Sequence, residues 1–544
     1  MFYYKFNYRI IFASVAKMLS RHLNRERKIC AQILQIQRAL SAKSAGDLTS
    51  KYLEESKPYS EIPGPTKFNF IRSFLPGGRY KNVPVHEMFL DLSSRYGNIF
   101  RMPSVSGTDI VITLNPVDYE TVFRNEGQWP YRRSFATFEY YKKVHRRDIF
   151  EGADGLTSGN GPAWGKMRTA VNPILLQPRN AKLYVNNLVQ VNDEFLERIR
   201  AIRDPVTQEM PADFVEEIRR LILESIGFVS LNTRLGFLGE NRDSEELIRF
   251  IKALENILEL GFILDMLPPI WKYLPEPNFK KLMRSLDTIT DIANGHIQRA
   301  LQRVEENAKA GRISLEPGME MSILEKLLRV DRQTAVIIAL DLFFAGADPT
   351  LVSLCGILLM LAKNPAKQFR LLEEIKGVLP DKHSQWTIES TSNLPYLRAC
   401  IKEGIRMYPI GPGTLRRVPT DVVLSGYRVV AGTDVGMASN YQMANMEQYV
   451  PRVREFLPER WLRDESSSNL VGDTSTPFMY LPFGFGPRAC AGKRIVDMML
   501  EIAVARLVRN FEIGFDYPIE NAFKAEFFVK PNIPFMFKFV ERSV

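Results

Sequence analysis

Apolar positions in this chain recur mostly with helical spacing. Between residues 182 and 310 they return every three to four positions, which predicts a succession of amphipathic helices. The rhythm breaks at Leu267-Pro-Pro-Ile-Trp271 and again at Pro275-Glu-Pro277, where proline removes an amide donor and cannot continue a helix. Thr334 to Lys363 reads as one long apolar helix, and a short strand is expected around Asp109 to Leu114. Beyond the stiff turn Ile62-Pro63-Gly64-Pro65, no Gly/Ser-rich linker, repeat or low-complexity block marks a boundary. The 544 residues are enough for several domains by length alone, yet one mostly α domain with a small β-rich part is expected over residues 63 to 544.

Charge changes the picture at the N-terminus. Residues 1 to 46 carry nine Lys or Arg against the single acid Glu26, so they hold +8 of the chain's formal +10. Lys5, Arg9, Lys17, Arg21, Arg25 and Lys28 fall on one helical face, with Ile11, Val15, Met18 and Leu19 toward the other. An amphipathic, basic, nearly acid-free leader predicts a mitochondrial transit peptide over residues 1 to 46, followed by a connecting segment over 47 to 62. No apolar run is expected to reach the roughly 18 residues of a membrane anchor. With the leader set aside the charge is close to balanced, which argues against nucleic acid as a partner. Four cysteines and five histidines, scattered and without HExxH spacing, argue against disulfides or a metal cage.

One decapeptide carries the chemistry. Phe483-Gly-Phe-Gly-Pro-Arg-Ala-Cys-Ala-Gly492 sets a single thiol, Cys490, among glycines, with Arg488 two positions before it and Phe483 seven before it. A thiolate donates strongly to haem iron and needs small neighbours so that backbone amides can turn toward the sulfur. Arg488 suits a haem propionate and Phe483 an apolar shield. A lone cysteine is more often a small buried hydrophobe, but here five residues are specified at once. Two glycine-rich alternatives fail: Pro487 interrupts the dinucleotide-like Gly484-x-Gly486-x-x-Ala489, and Gly486 to Gly492-Lys493 is one residue too long for a phosphate loop, with Arg494 where Ser or Thr belongs.

From about Pro63 to the C-terminus the chain resembles the cytochrome P-450 family of haem-thiolate monooxygenases. Glu403-Gly-Ile-Arg406 resembles the family's Glu-x-x-Arg pair, and Phe456-Leu-Pro-Glu-Arg460-Trp461 the segment whose arginine completes that network. Trp164-Gly-Lys-Met-Arg168 resembles the helix that directs both side chains at haem propionates, and Arg416 matches a further propionate-binding position, with Arg417 beside it as an alternative. The resemblance implies the family's fold, with haem b held between a long distal helix and the cysteine loop, and Cys490 as the axial ligand of the iron. It also implies substrate walls in residues 131 to 155, Ala345, Ile410 to Leu415 and the turn near Phe527. The proline-broken stretch near Trp271 corresponds to the place that touches the membrane surface in the family, so peripheral membrane contact is expected.

The distal segment departs from the pattern. In Ala345-Gly346-Ala347-Asp348-Pro349-Thr350, proline stands where the family has threonine. Proline is expected to kink the helix and free the carbonyl of Ala345, leaving proton delivery to Asp348, to water, or to Thr350 if the kink turns it inward. Glu126-Gly-Gln-Trp-Pro-Tyr-Arg132 is similar to the mitochondrial branch, above all to its insect members. The basic pairs Arg398/Lys402 and Lys493/Arg494 resemble positions with which that branch docks an acidic, adrenodoxin-like ferredoxin supplied by its reductase. The chain has neither a flavin fingerprint nor iron-sulfur cysteine spacing, so electrons must come from a partner. The expected activity inserts one atom of O2 into a small apolar molecule, xenobiotic or steroid-like, on the matrix side of the inner membrane. Two alternatives stand beside it: a haem-thiolate isomerase or dehydratase acting on a preformed peroxide, and a non-catalytic haem carrier or sensor.

Overall fold

The computed structural model describes residues 53–81, 83–104, 108–266, 269–274, 276–310, 321–387, 390, 393–462, 478–525 and 528–543. The basic leader and Phe527 lie outside them. The described chain falls into two compact units. The smaller joins the described residues before Ile62 to Asp421–Val429. In it Val422–Leu424 and Tyr427–Val429 form an antiparallel hairpin, Lys57 bridges to Tyr427, and the Lys57 ammonium lies 5.4 Å from the Tyr427 ring centre.

The larger unit is mostly helical, with a main apolar core among its helices and a second apolar cluster that includes Phe70, Phe89, Phe100 and Tyr441. The periodic stretch yields helices Val185–Ile202, Phe214–Leu231, Glu245–Met266 and Pro277–Lys309. The proline-rich break between the last two holds a short 3-10 turn, Ile270–Lys272. That turn is two-sided: Trp271 stacks on Phe279 with ring centres 5.0 Å apart, while Ile270, Tyr273 and Leu274 are 51%, 85% and 65% exposed.

The long helix runs from Arg332 to Lys363, with Asp331 accepting the Thr334 amide at its start and Pro349 inside it. By length and composition it could cross a membrane, which corrects the expectation that no apolar run is long enough; yet 67% of its apolar window is buried within the protein. It is apolar all round because other elements surround it. It passes through Pro349 as one helical segment, with the Ser353 hydroxyl donating to the Pro349 carbonyl at 2.9 Å.

The expected strand appears as Ile110–Thr113. It pairs antiparallel with Ile99–Met102 and parallel with Asp434–Met437, which pairs antiparallel with Thr414–Arg417. Two further helices frame the cysteine loop: Gly161–Leu175 carries Trp164 and Arg168, and Lys493–Asn510 begins directly after Gly492.

Candidate functional site

The cysteine loop is shaped by its glycines. Gly484 and Gly486 have φ of 70° and 68°, a conformation that costs glycine little. A Cβ on Gly486 would also lie 2.5 Å from Glu126 Oε1, so this position excludes larger residues twice over. The Cys490 amide donates back to the Phe483 carbonyl at 2.8 Å, closing the loop. Cys490 is exposed, yet burial is the largest influence on its thiol and raises it. The Gly492 amide and Arg168 act in the opposite direction, favouring thiolate, and the sulfur lies just before the N-terminus of an 18-residue helix.

Four guanidinium groups gather beside the thiol. Arg488 donates to Pro130 O at 2.7 Å, Gly159 O at 2.8 Å and Asn160 Oδ1 at 2.6 Å, and lies 3.5 Å from the centre of the Trp164 ring. Burial first, then Arg132, Arg416 and Arg168, pull it down to about 9. Arg168 donates to the Ala489 carbonyl at 2.7 Å, and its buried Nε has no partner among the described residues. Arg416 is paired with Glu126 at 2.6 Å, the one carboxylate bonded to any of these four among the described residues. Arg417 instead makes a two-pronged contact with Asp434 at 2.9 and 3.0 Å, so Arg416 is the arginine that joins the cluster. Arg132, quoted in the sequence only for its branch motif, donates to Thr157 O at 2.6 Å. Burial lowers it, with Arg416 adding to the effect and the nearby sulfur opposing it.

This cluster fits haem. Positive charge in excess of carboxylate, crowded enough to depress an arginine, calls for an anion with two negative groups. The two propionates of haem b are such a pair, and the exposed thiol of Cys490 beside them suits the iron.

On the proximal side, Glu403 and Arg406 pair through two contacts of 2.9 Å, and Arg460 reaches Glu403 at 2.9 Å. Trp461 Nε1 and the Leu457 amide also donate to Glu403, at 2.8 and 3.0 Å. Exposure is 0% for Glu403, 1% for Arg406 and 4% for Arg460, so the expected triad is a sealed brace.

On the distal helix, Ala345 is exposed and Pro349 half-buried in the middle of an otherwise buried element. Asp348 is engaged by Arg219, which also meets Glu216 at 3.3 Å. Thr350 is 2% exposed, and its hydroxyl donates to the Gly346 carbonyl one turn back at 2.7 Å. Gly346 packs toward Ile226, whose side chain a Cβ would meet at 3.1 Å. Residues four apart share a face, so Thr350 points with Gly346 toward the helix Phe214–Leu231. Proton delivery was expected through Asp348, through water, or through Thr350 only if a kink turned it inward; here the Thr350 hydroxyl stays bonded within its own helix.

Of the expected substrate walls, Phe135 meets Phe138 and Phe528 at ring-centre distances of 5.4 and 6.3 Å. The Val529 amide, next in the chain after Phe528, donates to Ile410 O at 2.9 Å, joining the 410–415 segment to the short strand Val529–Pro531. Among the basic pairs, Arg398 contacts Glu501 at 2.9 Å and Lys493 contacts Asp497 at 2.7 Å. Lys402 stands 5.7 Å from the Trp461 ring centre, and Arg494 is exposed. Each pair therefore has one member held by an acid of the helix Lys493–Asn510.

A cytochrome P450 family model matches residues 62–539. The chain is 71% identical, over 97% of its length and 100% of the relative's, to a Drosophila melanogaster protein named "Probable cytochrome P450 12e1, mitochondrial". It is 44% identical, over 95% of its length and 98% of the relative's, to "Cytochrome P450 CYP12A2" of Musca domestica. It is 45% identical, over 90% and 92% respectively, to "Probable cytochrome P450 12a5, mitochondrial" of Drosophila melanogaster. The chain belongs to the cytochrome P450 family, the haem monooxygenases whose iron is held by a cysteine thiolate.

Proposed function

We propose that this chain is a mitochondrial monooxygenase that takes electrons from a ferredoxin and hydroxylates a small apolar molecule, xenobiotic or steroid-like. The observation that carries this reading is the exposed thiol of Cys490 set inside a buried cluster of Arg132, Arg168, Arg416 and Arg488. Cys490 is the iron ligand; Arg168, Arg416, Arg488 and Trp164 hold the propionate edge; Phe483 shields the sulfur. Bound through the Cys490 thiolate, haem would supply oxygen activation: two electrons from the ferredoxin, two protons and the oxidation of one substrate C–H bond would together reduce O2, one oxygen atom going to substrate and the other to water.

The protein's own residues do the rest. Apolar walls around Phe135, Phe138 and Phe528 bind by excluding water, and Ala345 leaves room above the ring position. Asp348 moves the proton, and to do so it must exchange its contact with Arg219 for water. Thr350 is the weaker candidate, because its hydroxyl is spent on Gly346. Arg398, Lys402, Lys493 and Arg494 form the ferredoxin face, and the relatives named mitochondrial support placement in that organelle; within it, the proposed place is the matrix side of the inner membrane. The exposed Ile270, Tyr273 and Leu274 supply its peripheral membrane contact.

Pro349 favours a second reading, an isomerase or dehydratase acting on a preformed peroxide, since oxygen activation loses its usual hydroxyl there. Turnover of a panel of apolar substrates with and without ferredoxin and its reductase decides between them. The proposal expects product only with the full electron chain. Product from organic hydroperoxides alone, and none from O2, overturns it.

A further inference from the structure

We infer that Asp341 and Lys142 are positioning residues for the propionate edge of the haem site, acting through Leu156 and Thr157 on Trp164 and Arg132. The inference rests on the haem-thiolate reading. Lys142 lies in a short π-helix, Tyr141–His145, and its ammonium meets Asp341 of the long helix at 2.6 Å with both side chains buried. Burying two charges is costly, and such a pair adds little net stability. Its value lies in the geometry it imposes.

That geometry points at the haem site. Asp341 Oδ2 accepts the amides of Leu156 and Thr157 at 2.8 and 3.3 Å, and Oδ1 accepts the Thr157 hydroxyl at 3.1 Å. Lys142 closes the same knot, donating to Asp154 O at 2.9 Å and to Thr157 Oγ1 at 3.1 Å. Gly155, at φ 72°, allows the approach, since a Cβ there would sit 2.5 Å from Asp341 Oδ2. The carbonyls of the same two residues face the other way. Leu156 O accepts Trp164 Nε1 at 3.2 Å, and Thr157 O accepts Arg132 at 2.6 Å. Trp164 in turn carries Arg488 on its ring at 3.5 Å. One carboxylate thus holds the amides of two consecutive residues, and the carbonyls of those same residues hold two members of the propionate site.

Partners that orient the groups around a metal centre change its affinity by roughly 10- to 100-fold when removed. In purified holoprotein, Asp341→Asn and Trp164→Phe are each expected to speed haem transfer to apomyoglobin at least about tenfold and to move the haem midpoint potential in the same direction. The double variant should lose haem more slowly than the product of the two single effects, because both act on one hydrogen-bonded unit. Glu224→Gln, which disturbs a buried carboxylate bonded to Arg234, Leu235 and Phe237, should instead multiply cleanly with Trp164→Phe. If Asp341→Asn does not accumulate, Lys142→Met enters the same cycle, since the amide bonds to Oδ2 remain. A multiplicative cycle, or Asp341 and Lys142 variants with the parent's rate and potential, overturns the inference. A parent protein that holds no haem overturns the haem-thiolate reading instead.

Discussion

At the residue scale, function depends on which polar groups are already committed. Glu403 accepts from Arg406, Arg460, Trp461 and the Leu457 amide, so its loss strands two buried guanidiniums. Breaking a buried pair on one side costs about 3–5 kcal/mol, and Glu403→Gln is expected to lower the denaturation midpoint accordingly; an unchanged midpoint would show the network to be dispensable. Thr350 is committed to Gly346. Thr350→Val should therefore leave product formed per electron unchanged, while Asp348→Asn should divert electrons to peroxide; a rise in peroxide from Thr350→Val would restore Thr350 as the proton donor. Much of this was legible in the sequence because motifs at fixed spacing name side chains that share a face, as Glu403 and Arg406 do. Arg132 was not read as a site residue, since its place in the cluster arises from a contact with Thr157, 25 residues away, which no local spacing encodes.

At the scale of elements, the segment from Ala136 to Phe150 is strapped at its start and in its middle rather than hung as a free loop. Lys142 ties it to the long helix. At its start, Asp265 of the helix Glu245–Met266 accepts the Ala136 amide at 3.1 Å and the Thr137 hydroxyl at 2.9 Å. Burial raises the Asp265 carboxyl to about 6, against the lowering effect of those bonds and of Lys272. The folded state therefore holds a proton that the unfolded chain has released, and the associated stability, complete below about pH 4, is lost as pH rises through about 6. Asp265→Asn removes that dependence. The melting temperature of the variant relative to parent should improve between pH 4 and pH 7, by an amount equivalent to roughly 1–3 kcal/mol; a difference independent of pH would contradict the assignment. On the basic face, Arg398→Glu with Lys402→Glu should weaken ferredoxin affinity most at low salt, because charges at the surface are screened over about 8–10 Å at physiological ionic strength. Equal affinity at low salt would mark these charges as a solvated face. The helices themselves were readable from their 3.6-residue rhythm, but the π-helix was not, because a single wide turn leaves no period in the pattern of apolar residues.

At the scale of the whole molecule, a single domain over residues 63 to 544 was expected from a chain without linkers; the described chain divides into a unit from Ile62 to Val544 interrupted by Asp421–Val429, and a smaller unit that joins Asp421–Val429 to the described residues before Ile62. The contact of the hairpin Val422–Val429 with Lys57, an isolated bridge to a residue hundreds of positions earlier in the chain, is invisible in sequence. The leader makes its own prediction: residues 1–46 fused to a reporter should carry it into the mitochondrial matrix, and retention in the endoplasmic reticulum would reverse that assignment. The most direct test of the whole account is the carbon monoxide spectrum of the reduced protein. The account predicts the red-shifted Soret band of thiolate-ligated haem in the parent and its loss in Cys490→Ser; the same band in both proteins, or no such band in the parent, would contradict it.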